Sequence, residues 1–145
     1  MRQYLLDTNI CVLLLKAHAV VLQRIAHAGA ANCFVSEITV AELLFGVEKG
    51  VEKIGNPDAE RKRTDDFIAI LQVVPISQAL RVYASEKRRL QLAGQTLDDF
   101  DTLIAATALK HELVMVTNNT KHFNRFPALQ LEDWTEPLIS SSEIS

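Results

Sequence analysis

Short apolar runs that suit strands alternate along this chain with longer stretches whose apolar residues return every three or four positions. "YLLD", "NCFVS", "LQVVP", "LVMVT" and "ALQLEDW" read as strands in chain order. After the first of them, "ICVLLLKA" and "VVLQRIAHAG" predict a pair of helices, the second stopping near Gly29, a residue type that accepts the backbone of a helix end. Val40, Leu44, Val47 and Val51 keep helical spacing over 37–54 and predict a helix with those four as its core stripe. The charged "EKGVEKIGNPDAERKRTDD", broken by Gly55 and Pro57, predicts a surface connection between two helices. A further helix is expected from about Ser77 to Ala93, stopping at Gly94, and the next begins near Asp98 or Asp99. This alternation argues for βα units, hence an α/β fold with a parallel sheet covered by helices.

Composition narrows the picture without changing it. The chain has 145 residues, 48% of them hydrophobic, which suits one domain with a real core. That domain is expected over 1–137, with the aperiodic "LISSSEIS" at 138–145 as a frayed tail. The net charge of −3 and the pI of 5.8 leave no global basic field, so any nucleic acid must be held locally. Cys11 and Cys33 sit in apolar runs without metal or disulfide-scaffold spacing and read as buried free thiols of a reducing compartment. No run approaches the roughly 18 apolar residues of a membrane span, so a soluble cytoplasmic protein is expected.

Candidate chemistry gathers at the ends of these elements. Asp7 closes the first strand, where open parallel sheets bind ligands, although Asp7 or Thr8 also suits the cap of the following helix. Glu42 lies within a helix, and Gly46 one turn on leaves its flank open; a solvated surface glutamate is the plain alternative. Asp101 is in line with Ile104, Ala105 and Ala108, a buried stripe on which a carboxylate needs a partner: a cation, an arginine or a helix cap. Asp98 and Asp99 read as N-terminal caps, with a place in a metal shell as the second possibility. "VMVTNN" ends a strand in the hydroxyl of Thr117 and the amides of Asn118 and Asn119, which suits either a site or a turn.

Other chemistries find no support. His18, His27, His111 and His122 lack a metal-binding spacing, and no Gly-rich nucleotide loop or serine elbow is present. Lys87, Arg88 and Arg89 read as a solvated helix face, whereas Lys121, His122 and Arg125 follow "TNN" closely enough to meet a phosphate backbone.

Taken together, "LLDTNI", "SEITVAELLFGVEK", "AGQTLDDFDTLIAATAL" and "VTNNTKHFNRFPALQLEDW" resemble the PIN domain, and within it the VapC-type toxins of bacterial and archaeal toxin–antitoxin pairs. The resemblance implies a three-layer α/β/α fold with a central parallel sheet of four to five strands. It also implies a metal-dependent endoribonuclease in which Asp7, Glu42 and Asp101 are acidic metal ligands. Asn119 falls on a fourth position, where the family has aspartate or asparagine, and Thr117 matches a hydroxyl that arranges the site. The implied cofactor is Mg²⁺, with Mn²⁺ as a substitute. The implied partners are a structured RNA such as tRNA, a second copy of the chain, and a small VapB-like antitoxin that blocks the pocket. The apolar surface of "ICVLLLKA" and the helix over 37–54 are where that antitoxin is expected.

Clustered acids have a physical reason in such an enzyme. Mg²⁺ prefers oxygen ligands and is held by a few carboxylates together with substrate phosphate. Two other readings compete. An aspartyl-phosphate enzyme also ends its first strand in Asp, but its second acid two residues on is Asn9 here. A non-catalytic dimeric regulator of the same fold would use the acids for a structural ion or for nothing.

Overall fold

Leu5 and Leu6 are neighbours in a strand, so their side chains point to opposite faces, and both are buried. A strand apolar on both sides belongs in the middle of a sheet covered twice. The computed structural model describes residues 2–53 and 55–138 and places that strand, β1 (Tyr4–Leu6), at the centre of a five-stranded sheet. Its companions are β2 (Cys33–Ser36), β3 (Val73–Val74), β4 (Val114–Val116) and β5 (Leu131–Glu132). The order is β3-β2-β1-β4-β5 and every pairing is parallel.

Seven α-helices lie among the described residues: α1 (Thr8–Leu15), α2 (Ala19–Ala28), α3 (Glu37–Gly50), α4 (Pro57–Ala69), α5 (Leu80–Leu92), α6 (Asp99–Lys110) and α7 (Thr120–Phe123). On one face Leu5 and Met115 pack with Leu90, Ile104, Ala105 and Phe123 of α5, α6 and α7. On the other, Leu6 and Val116 pack with Ile10, Cys11, Val21 and Trp134, and Phe67 and Ile68 of α4 lean against them. Three layers result, as the resemblance implied. Both cysteines are free and buried. Among the described residues no single helix is long and apolar enough to cross a membrane. The expected tail lies, from residue 139 on, outside the described residues.

The helix stops expected at glycine are found: α2 ends at Gly29 (φ 89°), and Gly94 (φ 67°) follows the end of α5. Two expectations need correction. The core face of α3 is Ile38, Thr39 and Leu43, not the stripe through Leu44, which is 44% exposed; Val40 and Val47 are only partly buried. Most of the charged segment after α3 is not a connection but the greater part of α4. Asn56 caps that helix by accepting from the Ala59 N–H, Pro57 occupies its first turn, and Asp58 and Glu60 complement the helix dipole. Arg61 then ties it to Glu48 of α3 at 2.8 Å.

The topology prepares a site. From β1 the chain builds outward to β2 and β3 on one side, and β4 and β5 fill the other. Neighbouring strands whose connections leave in opposite directions open a crevice beyond their carboxyl ends. Here those strands are β1 and β4, followed directly by Asp7 and Thr117.

Candidate active site

Asp7 is held in the crevice from three sides. Its N–H donates to the Val116 carbonyl at 2.8 Å, extending the β1–β4 pairing by one residue. One carboxylate oxygen, Oδ1, accepts from the Thr8 N–H at 2.8 Å, and Oδ2 accepts from the Thr117 hydroxyl at 2.9 Å. Asp7 therefore caps α1 while its carboxylate stays buried at the carboxyl end of β1. Thr117 is fully buried; its Oγ1 also accepts from the Asn119 N–H at 3.0 Å, and its own N–H donates to the Glu132 carbonyl.

Glu42 comes from α3, whose start is set by Ser36 capping the Ile38 N–H. Its Oε1 accepts from the Thr8 hydroxyl at 2.7 Å, and the Thr8 and Thr39 hydroxyls meet at 3.0 Å. A Cβ at Gly46 would meet nothing within 4 Å, so the space beside the next turn is open. Asp101 stands in the first turn of α6, and its N–H donates to Oδ1 of Asp98, the cap residue, at 2.8 Å.

These acids share one electrostatic field. Burial pushes the Asp7 carboxyl above its ordinary value; the Thr117 and Thr8 hydrogen bonds oppose this, and the charges of Glu42 and Asp98 add to it. Burial, followed by the charges of Asp98, Asp7 and Glu42, pushes Asp101 up to about 7. Among the described residues no lysine or arginine pairs with Asp7, Glu42, Asp98 or Asp101, although eight ion pairs form elsewhere. Partly buried like charges without a counter-charge are costly, and a hard cation relieves them. As the side chains stand, no three acidic, histidine or cysteine side chains among the described residues close around one ion; Asp7 and Glu42 are turned toward hydroxyls. The donor set nevertheless has the chemistry that suits a hard divalent cation.

Asn119 reaches this centre only through its backbone. Its side-chain nitrogen lies 2.8 Å from Nδ1 of His122, and Asn118 is exposed. Asp98 caps α6 and enters the field of the acids, whereas Asp99 is bound by Lys87 and by the Tyr83 hydroxyl, both at 2.7 Å. Of the basic residues expected to meet phosphate, Arg125 donates instead to the carbonyls of Gln95 and Thr96, bracing the loop before α6. Arg89 is likewise engaged, with Glu86 and the Arg125 carbonyl. Sequence reasoning missed Thr8 and Thr39 as parts of the site. Thr8 carried a signal, its place beside Asp7, but was weighed only as a cap; Thr39 carried none beyond being a hydroxyl three residues before Glu42.

Comparison with known proteins adds a second line of observation. Residues 4–129 match the family model of the PIN domain. Ribonuclease VapC2 of Rickettsia felis is 35% identical over 134 residues, spanning 90% of this chain and 97% of that protein. The tRNA(fMet)-specific endonuclease VapC of Salmonella typhimurium is 29% identical over 135 residues, 92% of this chain and 99% of that protein. Among solved structures, DNA-bound VapBC from Salmonella typhimurium superposes with a TM-score of 0.81 at 30% identity, covering 92% of this chain and 99% of that one.

Proposed function

This chain belongs to the PIN-domain family, among its VapC ribonucleases, and on that premise we propose a divalent-metal-dependent endoribonuclease that cleaves structured RNA such as tRNA as the toxin of a toxin–antitoxin pair. The observation that carries the reading is the group of Asp7, Glu42, Asp98 and Asp101 sharing one field at the β1–β4 crevice without a counter-charge.

Asp7, Asp101 and Glu42 are the ligands we assign to Mg²⁺, with Mn²⁺ as a substitute. When bound, such a cation acidifies a water molecule and offsets charge on the phosphate being cleaved. The protein's own contribution is to hold the acids ready. Thr117 and the Thr8 N–H fix both oxygens of Asp7, so its orientation does not depend on the ion. The Thr8 hydroxyl holds one oxygen of Glu42 and leaves the other for the ion or the attacking water. Asp101, whose pKa is raised by burial and by the neighbouring acids, would hold the ion in its deprotonated form. Asn119 contributes through its main chain, by fixing the Thr117 hydroxyl that positions Asp7.

The partner we assign is a VapB-like antitoxin, because the solved Salmonella relative is a VapBC complex. Its surface is the outer side of α1 together with the groove between α3 and α4, lined by Leu44, Val47 and Arg61. A cytoplasmic homodimer completes the assignment. The decisive experiment incubates the purified protein with tRNA in Mg²⁺ or in EDTA, beside Asp7→Asn and Asp101→Asn. Cleavage by the parent in Mg²⁺ alone, with both folded variants inactive, is the expected result. Variants that cleave as fast as the parent would remove the acids from the mechanism.

A further inference from the structure

Phe123 and Phe126 lie in the core, whereas Phe45 and Phe100 are 65% and 48% exposed; Phe45 comes three residues after Glu42 and Phe100 immediately before Asp101. Burying a phenylalanine contributes about 1.5–3 kcal/mol, so two left in water call for a use. Phe45 continues the stripe Ile38, Glu42, Phe45, spaced four and three residues along α3. Ile38 packs with Leu5, Ile104 and Ala105, so this stripe leaves the core on the side of α6, passes the acid and ends in solvent. Phe100 immediately precedes Asp101 in the first turn of α6. Each of the two helices that carry Glu42 and Asp101 thus also carries an exposed aromatic ring within one turn of its acid.

Charge makes these rings useful. RNA must approach four carboxylates on a chain of net charge −3. Lys87 is bound to Asp99 and Arg125 to main-chain carbonyls, so neither is free to hold a phosphate. Stacking needs no cation, since every base has a face that an aromatic ring can cover. We propose that Phe45 and Phe100 form a stacking rim that seats unpaired bases of the RNA beside the scissile phosphate. The inference rests on the ribonuclease reading for the scissile phosphate but not for binding.

The test uses the intact protein, a single-stranded oligoribonucleotide and the same sequence closed into a duplex. Binding is read in EDTA, and KM and kcat are read in Mg²⁺. Stacking of about 1–3 kcal/mol per base predicts that Phe45→Leu and Phe100→Leu each weaken single-strand binding roughly five- to hundredfold, with the loss in KM rather than kcat. Phe45→Trp and Phe100→Trp are expected to keep the affinity, and the new indole to be quenched by the single strand more than by the duplex. Ile70→Ser, at an apolar position 78% exposed beyond the end of α4, is the control expected to match the parent. Leucine variants that melt with the parent yet bind RNA as tightly would overturn the proposal. So would leucine variants that lose only self-association or antitoxin binding, which would make the rings a protein interface. A parent that binds and quenches but never cleaves would leave the rim standing and remove the nuclease reading. Cleavage with KM unchanged in the leucine variants would do the reverse.

Discussion

Two hollows in this molecule differ in kind. Beyond β1 and β4, Asp7, Glu42, Asp98 and Asp101 crowd together without a positive side chain among them. On the flank under α1, α2 and the end of α4, a cavity of about 340 Å³ is walled by Leu6, Leu14, Ile25, Val35 and Phe67. Its polar member, Gln72, is already bonded to the carbonyls of Ala31 and Cys33. By shape alone the apolar cavity is the better binding pocket. Chemistry reverses the choice, because of these two hollows it is the one at the sheet edge that holds carboxylates with no ion-pair partner among the described residues. The flank is where stability resides; the edge gives some of it up.

That contrast can be broken by substitutions that separate activity from stability. Asp7→Asn is expected to lower RNA cleavage about a thousandfold, matching the several kcal/mol a bound cation supplies, while the metal-free protein melts no lower than the parent. Trp134→Ala, in the flank cluster, should do the opposite. Trp134 is buried against Tyr4, so its loss should cost about 3–5 kcal/mol in denaturant unfolding, with kcat of the remaining folded enzyme retained. If Asp7→Asn destabilised the protein as strongly, the edge would be ordinary core and the comparison would collapse.

Smaller effects sharpen it. Thr117→Val removes the hydroxyl that holds Asp7 Oδ2 and should weaken Mg²⁺ binding about ten- to a hundredfold in a calorimetric titration. The pH dependence follows from the raised carboxyls. Asp101, at about 7 in the fold and 3.8 when unperturbed, contributes stability that is fully present below pH 3.8 and is lost as the pH rises through 7. The metal-free protein should therefore melt progressively lower from pH 4 to pH 8. Mg²⁺ should restore more of the melting temperature at pH 8 than at pH 5.5, and its affinity should fall about tenfold per unit below pH 7, as one proton is displaced. A flat melting profile would show that Asp101 is not held up by burial and by its neighbours. The smallest effect is expected at Thr64, buried on α4 with a hydroxyl that has no partner. Thr64→Val should leave cleavage alone and raise stability by less than about 1 kcal/mol.

Much of this was legible in the residues themselves. Runs such as "YLLD" and "LVMVT" are apolar on both faces, which specifies covered strands wherever they end up. Asp98 and Gly29 mark helix boundaries through local hydrogen bonds and backbone geometry, so their effect is felt within a few residues. Asp7 and Asp101 stood out because each is a charge placed in line with an apolar pattern. The apolar stripe of α3 was misread because spacing shows which residues share a face and not which face meets the sheet. Ile38, Thr39 and Leu43 turned inward, leaving Leu44 and Phe45 outside.

The sequence by itself determined the class of fold, helix ends such as Gly29 and Asp98, and which acids are candidates, because these depend on neighbours in the chain. Only the tertiary structure decided how the acids are held. Thr8 reaches Glu42 across 34 residues, and Thr117 reaches Asp7 across 110. It likewise turned the Asn119 side chain to His122 and brought Asp98 into the field of Asp101 and Asp7. Those choices follow from strand order, which sets β4 beside β1 and brings distant segments to one edge, where burial and the neighbouring charges raise the pKa of Asp7 and Asp101.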